Sequence, residues 1–82
     1  MTDYEYVYMY FKKRAIELLL RYHCKSFNAY KNFINEMKNI TYHFCNDIDA
    51  KYDFIHRLDR GVIYLKWFIN SEGTEFGFSF TL

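Results

Sequence analysis

The sharpest pattern of apolar and polar positions lies in the last twenty residues. With Glu72 and Gly73 at the tip of a turn, Ile69 faces Phe76, Trp67 faces Phe78, Leu65 faces Phe80 and Ile63 faces Leu82. Lys66 with Ser79 and Tyr64 with Thr81 then fall on the opposite face. Strand side chains alternate, so a slip of one residue would mix the two sets. The pattern predicts a hairpin with one apolar face that needs a cover.

Upstream the period changes. Thr2 and Glu5 occupy capping-box positions. Behind them Tyr4, Tyr8, Phe11, Ala15, Leu18 and Tyr22 form a stripe flanked by Val7 and Leu19, which predicts a helix over residues 3–24. Residues 4–11 also alternate at period two with strand-favouring types. The cap and the continuation of the stripe through Tyr22 select the helix. Ser26 is a second N-cap, and Tyr30, Phe33, Ile34, Met37, Ile40 and Phe44 follow at helical spacing. Lys31, Asn35, Lys38 and Asn39 lie opposite, so a second helix is predicted over 27–45. The short link at Lys25-Ser26 favours an antiparallel helical hairpin.

Residues 46–52 read as a loop. Residues 53–58 support two readings. As a strand, with a turn at Arg60-Gly61, Phe54 faces Trp67, His56 faces Leu65 and Leu58 faces Ile63. As a helix, Asp49 would cap it, Gly61 would end it, and Ile48, Tyr52, Ile55 and Leu58 would form its stripe. The strand is preferred, because three strands are more viable than an isolated hairpin. The expected fold is α+β: two antiparallel helices on one face of a three-stranded antiparallel meander, in order α-α-β-β-β. Three helices plus a β-hairpin is the alternative.

At 82 residues the chain has room for one core, so residues 1–82 are read as a single domain. Nine Phe, nine Tyr and one Trp supply it. Each aromatic can bury roughly 150–250 Å², so about half of them suffice. Phe, Tyr, Met, Ile, Asn and Lys make up half of the chain, all encoded by A/T-rich codons. Such a genome is expected in many viruses, plasmids and some bacteria. The formal net charge of +1 gives no bulk pull toward nucleic acid. No run of eighteen apolar residues occurs, so no membrane-spanning helix is expected. The acidic opening, with Asp3 and Glu5, is unlike a secretory signal, and two cysteines without one suggest reduced thiols in a cytoplasm.

Candidate chemistry is sparse. His23-Cys24 and the His43, Cys45 pair carry ligand types that zinc prefers, but the second helix would separate them by roughly 30 Å. Asp47, Asp49 and Asp53 lack the glycine and closing glutamate of a calcium loop. No metal site and no cofactor are expected. His56 is the one polar residue on the expected core face, read as a core-edge histidine held by a backbone carbonyl rather than a general base. No glycine-rich phosphate loop or nucleophile–base order is visible, so no enzyme is expected.

Lys12, Lys13 and Arg14, with Arg21 and Lys25, form the dense basic cluster, flanked by Tyr6 and Tyr10. Tyr6, Tyr10, Lys12, Lys13, Arg14 and Arg21 are therefore the partner-binding candidates. They suit an acidic protein surface, or phosphates and bases, or simply a solvated helix face. A second candidate is the last strand, Phe76, Gly77, Phe78, Ser79 and Phe80, which has no charge or proline from Phe76 through Leu82. Such an edge tends to pair, here with its twin in a homodimer or with a partner's strand, unless helix one covers it. The expected function is a small non-enzymatic cytoplasmic binding protein, a virus- or plasmid-encoded modulator or inhibitor that docks on a host protein. The alternative is nucleic-acid binding through the Tyr-flanked basic face of helix one.

Overall fold

The computed structural model describes residues 3–69 and 74–82. Its elements follow the expected order: α1 Asp3–Tyr22, α2 Phe27–Ile48, β1 Asp53–Asp59, β2 Val62–Ile69 and β3 Thr74–Thr81. Val7, Phe11, Ala15 and Leu18 of the α1 stripe are buried. The helix stops at Tyr22 because His23 and Cys24 both take left-handed backbone angles, φ 59° and 50°. Ser26 then caps α2, its Oγ accepting the Ala29 N–H at 3.1 Å. The expected cap at Thr2 and the expected turn tip at Glu72-Gly73 lie outside the described residues.

α2 runs three residues past the expected end at Cys45, because Asn46, Asp47 and Ile48 contain no breaker. Asp49 closes it in the left-handed region (φ 52°), and the N–H groups of Asp49 and Ala50 donate to the Asn46 and Cys45 carbonyls. The loop is therefore shorter than expected. The helices are antiparallel: Arg21 approaches Glu36, whereas Tyr10 and Phe11, half the helix away, meet Phe44.

The sheet has strand order β1-β2-β3, all antiparallel. Arg60 and Gly61, at φ 52° and 77°, make the two-residue turn between β1 and β2. Phe54 opposes Trp67, His56 opposes Leu65 and Leu58 opposes Ile63, so residues 53–59 are a strand and not a third helix. Between β2 and β3 the faces are as expected but the register is shifted by two residues. Trp67 opposes Phe76, Leu65 opposes Phe78 and Ile63 opposes Phe80. A shift of two keeps every side chain on its face, so alternation cannot detect it. Backbone contact explains the outcome. Gly77 sits opposite Lys66, where a Cβ would lie 2.4 Å from the Leu65 carbonyl oxygen. This register places the residue without a side chain where a Cβ would run into the facing backbone.

Both helices cover one face of the sheet, α1 toward β3 and α2 toward β1. Trp67, fully buried, is the centre of that layer. Its ring stacks with Phe11 of α1 at 4.7 Å, Phe54 of β1 at 4.9 Å and Phe76 of β3 at 5.6 Å. Its Nε1–H donates to Thr41 Oγ1 of α2 at 2.9 Å, and the Thr41 hydroxyl donates onward to the Met37 carbonyl at 2.8 Å. Among the described residues no helix is long and apolar enough to cross a membrane.

Two substitutions check this arrangement. Thr41→Val keeps the volume but strands a buried indole N–H, and should cost about 1–3 kcal/mol in urea unfolding. Gly77→Ala should cost a similar amount, roughly 1–3 kcal/mol, by forcing β3 away from β2. Costs within about 0.3 kcal/mol of zero would contradict the hydrogen bond in the first case and the strand contact in the second.

Candidate functional site

A helix turns about 100° per residue, so three consecutive side chains cannot share one face. Lys12, Lys13 and Arg14 accordingly fan out around α1. Lys12 leans over the Tyr8 ring at 5.5 Å, and Tyr8 in turn meets Phe76 and Phe78, so Lys12 belongs to the β3 side. Arg14 lies over Tyr10 at 5.2 Å and pairs with Glu17 at 3.3 Å. Its pKa is raised, first by hydrogen bonding to Tyr10 and then to Glu17. Arg21 reaches Glu36 of α2 at 3.9 Å. Arg14 and Arg21 thus line the cleft between the helices, a trough of about 380 Å³, each beside an acid. Tyr10 turns inward onto Phe44 at 4.7 Å.

Lys13 and Tyr6 stay on the outward side, and there they join residues that the charge pattern did not single out. Met9, Ile16 and Leu20 are exposed apolar side chains of the same helix, Leu20 at 69% and Met9 at 53%. Tyr6, Met9, Lys13, Ile16 and Leu20 fall at steps of three and four, the spacing of a second helical stripe. α1 therefore has two apolar faces. One is the core stripe, and the other points to solvent with a lysine at its middle.

The open face of the sheet is different in character. Ile55, Arg57, Tyr64, Lys66, Gly77 and Ser79 line a shallow groove of about 600 Å³ whose floor is lowered by the missing side chain of Gly77. Arg57 lies over Tyr64 at 4.5 Å and Lys66 pairs with Glu75 at 3.4 Å. These are cross-strand pairs of the kind that stabilise a solvated sheet face.

Of the groups with chemical potential, His56 faces α2 as placed, but its partner is the Tyr30 hydroxyl at 3.1 Å from Nδ1 rather than a backbone carbonyl. Burial, and then the positive charge of Lys38, lower its pKa. Burial pushes the Cys24 thiol up, and burial followed by Cys24 raises Tyr30. Cys45 accepts the Tyr52 N–H at 3.4 Å. Among the described residues, no group of three or more His, Cys, Asp or Glu side chains is placed to hold a metal ion.

The lowered pKa of His56 gives a signed prediction. The unfolded chain takes up the proton near the ordinary value of about 6.5, before the folded chain does, so protonation favours unfolding. The His56 contribution to stability is complete above that value and is lost as pH falls from it toward the lower folded value. The melting temperature should therefore drop between about pH 7 and 5, and His56→Gln should flatten that slope, His23 and His43 being common to both proteins. An unchanged slope in the variant would remove His56 as the cause.

The chain matches no protein-family model, no curated protein and no solved structure.

Proposed function

We propose that this chain is a non-enzymatic cytoplasmic binding protein that docks on another protein through the outward face of α1. The observation that carries this reading is the exposed stripe Tyr6, Met9, Ile16 and Leu20, centred on Lys13. An isolated exposed leucine is ordinary, but four large apolar side chains at helical spacing on one face cost solvation unless a partner covers them. The fitting partner has an apolar groove that accepts a helix, in the manner of helix-in-groove recognition. Lys13 within the stripe calls for an acidic rim on that groove.

The neighbouring chemistry supports the same reading. His56 is engaged by a tyrosine hydroxyl rather than by a carboxylate, and the Cys24 thiol is buried and pushed toward its neutral form. Neither is arranged as a base or nucleophile. The A/T-rich residue usage supports a viral or plasmid origin, in which case the partner would be a host protein and the chain its modulator or inhibitor. Nucleic-acid binding is the weaker reading, because Arg14 and Arg21 stand beside Glu17 and Glu36 and the remaining lysines diverge around α1.

The full chain carrying a photoreactive side chain at Leu20 should crosslink to a discrete protein in host extract, insensitive to nuclease. Ile16→Glu, or reversal of Lys13 to Glu, should abolish the product, with stability changed by no more than about 0.5 kcal/mol. A product that survives both changes would place the interface elsewhere. Binding to single- or double-stranded DNA whose log K falls with log salt at a slope of about −3 or steeper would favour the nucleic-acid reading instead.

A further inference from the structure

The two edges of the sheet are built differently. β1 carries Asp53, Arg57 and Asp59, charges that discourage a further strand. β3 carries one charge, Glu75 at its start, and from Phe76 to Thr81 reads Phe-Gly-Phe-Ser-Phe-Thr. Leu82 N–H donates to the Gly61 carbonyl at 2.7 Å, which fixes the parity of the ladder between β2 and β3. Residues directly opposite exchange bonds at every second position, so Phe80, Phe78 and Phe76 point their backbone groups at β2. The N–H and C=O groups of Glu75, Gly77, Ser79 and Thr81 then point outward along the free edge. On the helix side of the same edge, Phe78 and Phe80 are only partly buried, although Tyr8 of α1 meets the Phe78 ring at 5.5 Å.

We infer that β3 pairs with β3 of a second copy, antiparallel about a two-fold axis through Phe78, forming one six-stranded sheet. The strand is complementary to itself in that arrangement. Phe78 meets its twin, Phe76 meets the second copy's Phe80, Gly77 meets its Ser79, and Glu75 meets its Thr81. No like charges oppose one another, and the three phenylalanines stay on the helix side while Glu75, Gly77, Ser79 and Thr81 stay on the open side. Shifting the axis to residue 77 or 79 keeps the faces but leaves part of the strand unpaired, so full overlap selects Phe78. All four outward-pointing residues then join the ladder, about eight backbone hydrogen bonds in total. The parts of the Phe78 and Phe80 rings that stay exposed in one copy are covered by those of the other. The surface is separate from the outward face of α1, so the dimer would present that face twice.

Sedimentation of the full chain over a wide concentration range tests the inference. The expected result is a concentration-dependent species of twice 10.2 kDa. In that species the amides of Glu75, Gly77, Ser79 and Thr81 should exchange with solvent roughly tenfold or more slowly than in dilute monomer. Ser79→Pro removes one outward donor and no bond to β2, and should yield a monomer with unchanged far-ultraviolet circular dichroism. Should that variant not fold, the exchange comparison on the unaltered chain still decides. A wild-type monomer at millimolar concentration overturns the inference. A dimer whose four edge amides exchange as freely as in the monomer, or one abolished by Leu20→Glu but retained by Ser79→Pro, also overturns it.

Discussion

Everything in this fold is referred to the indole of Trp67. It belongs to the central strand, and each of the other four elements meets it, β3 through both Phe76 and Phe78. Phe11 of α1, Phe54 of β1 and Phe76 of β3 stack with or beside its ring, and Thr41 of α2 accepts its N–H. The aromatic contacts supply large apolar area without direction, whereas the single hydrogen bond supplies direction. A helix that slid or rotated along the sheet could keep its apolar contacts and would still lose the bond to Thr41. In a chain this short, where area alone leaves a narrow margin of stability, this directional contact at the centre, with the Tyr30–His56 bond beside it, aligns α2 with the sheet.

Much of this was legible in the residue pattern, and the parts that were not share physical reasons. The pairing of β1 with β2 could be read because Arg60-Gly61 permits a two-residue turn, which pins the register. No comparable marker pinned β2 to β3, and alternation is blind to a shift of two. The deciding contact, Gly77 against the Leu65 carbonyl, depends on backbone separation. Thr41 was silent because a lone threonine within a helical stripe reads as a tolerated polar position. Lys12, Lys13 and Arg14 read as one patch along the chain, yet helical rotation sends them to three sides of α1. The exposed stripe did have a signal, the three-and-four spacing of residues 6, 9, 13, 16 and 20. It was overshadowed by the stronger stripe on the opposite side of the same helix.

The two faces of α1 connect folding to the proposed function. The core stripe commits the helix to the sheet, which fixes the direction in which Tyr6, Met9, Ile16 and Leu20 point. A helix held rigidly before it meets a partner loses little conformational entropy on docking, in contrast to a segment that folds on binding. The same reasoning applies to β3, whose inward backbone groups are already paired with β2, leaving the outward ones in register for another strand. The core therefore sets the geometry of both proposed association surfaces.

The most direct test of the central role of Trp67 is hydrogen exchange at its indole N–H, followed as a single resonance because the chain has one tryptophan. If the bond to Thr41 lies at the centre of one cooperative core, this proton exchanges only when the whole protein unfolds. Its exchange free energy then equals the stability measured by urea unfolding. An indole proton that exchanges through a local opening well below that value would contradict the account, because the elements could then part from Trp67 one at a time.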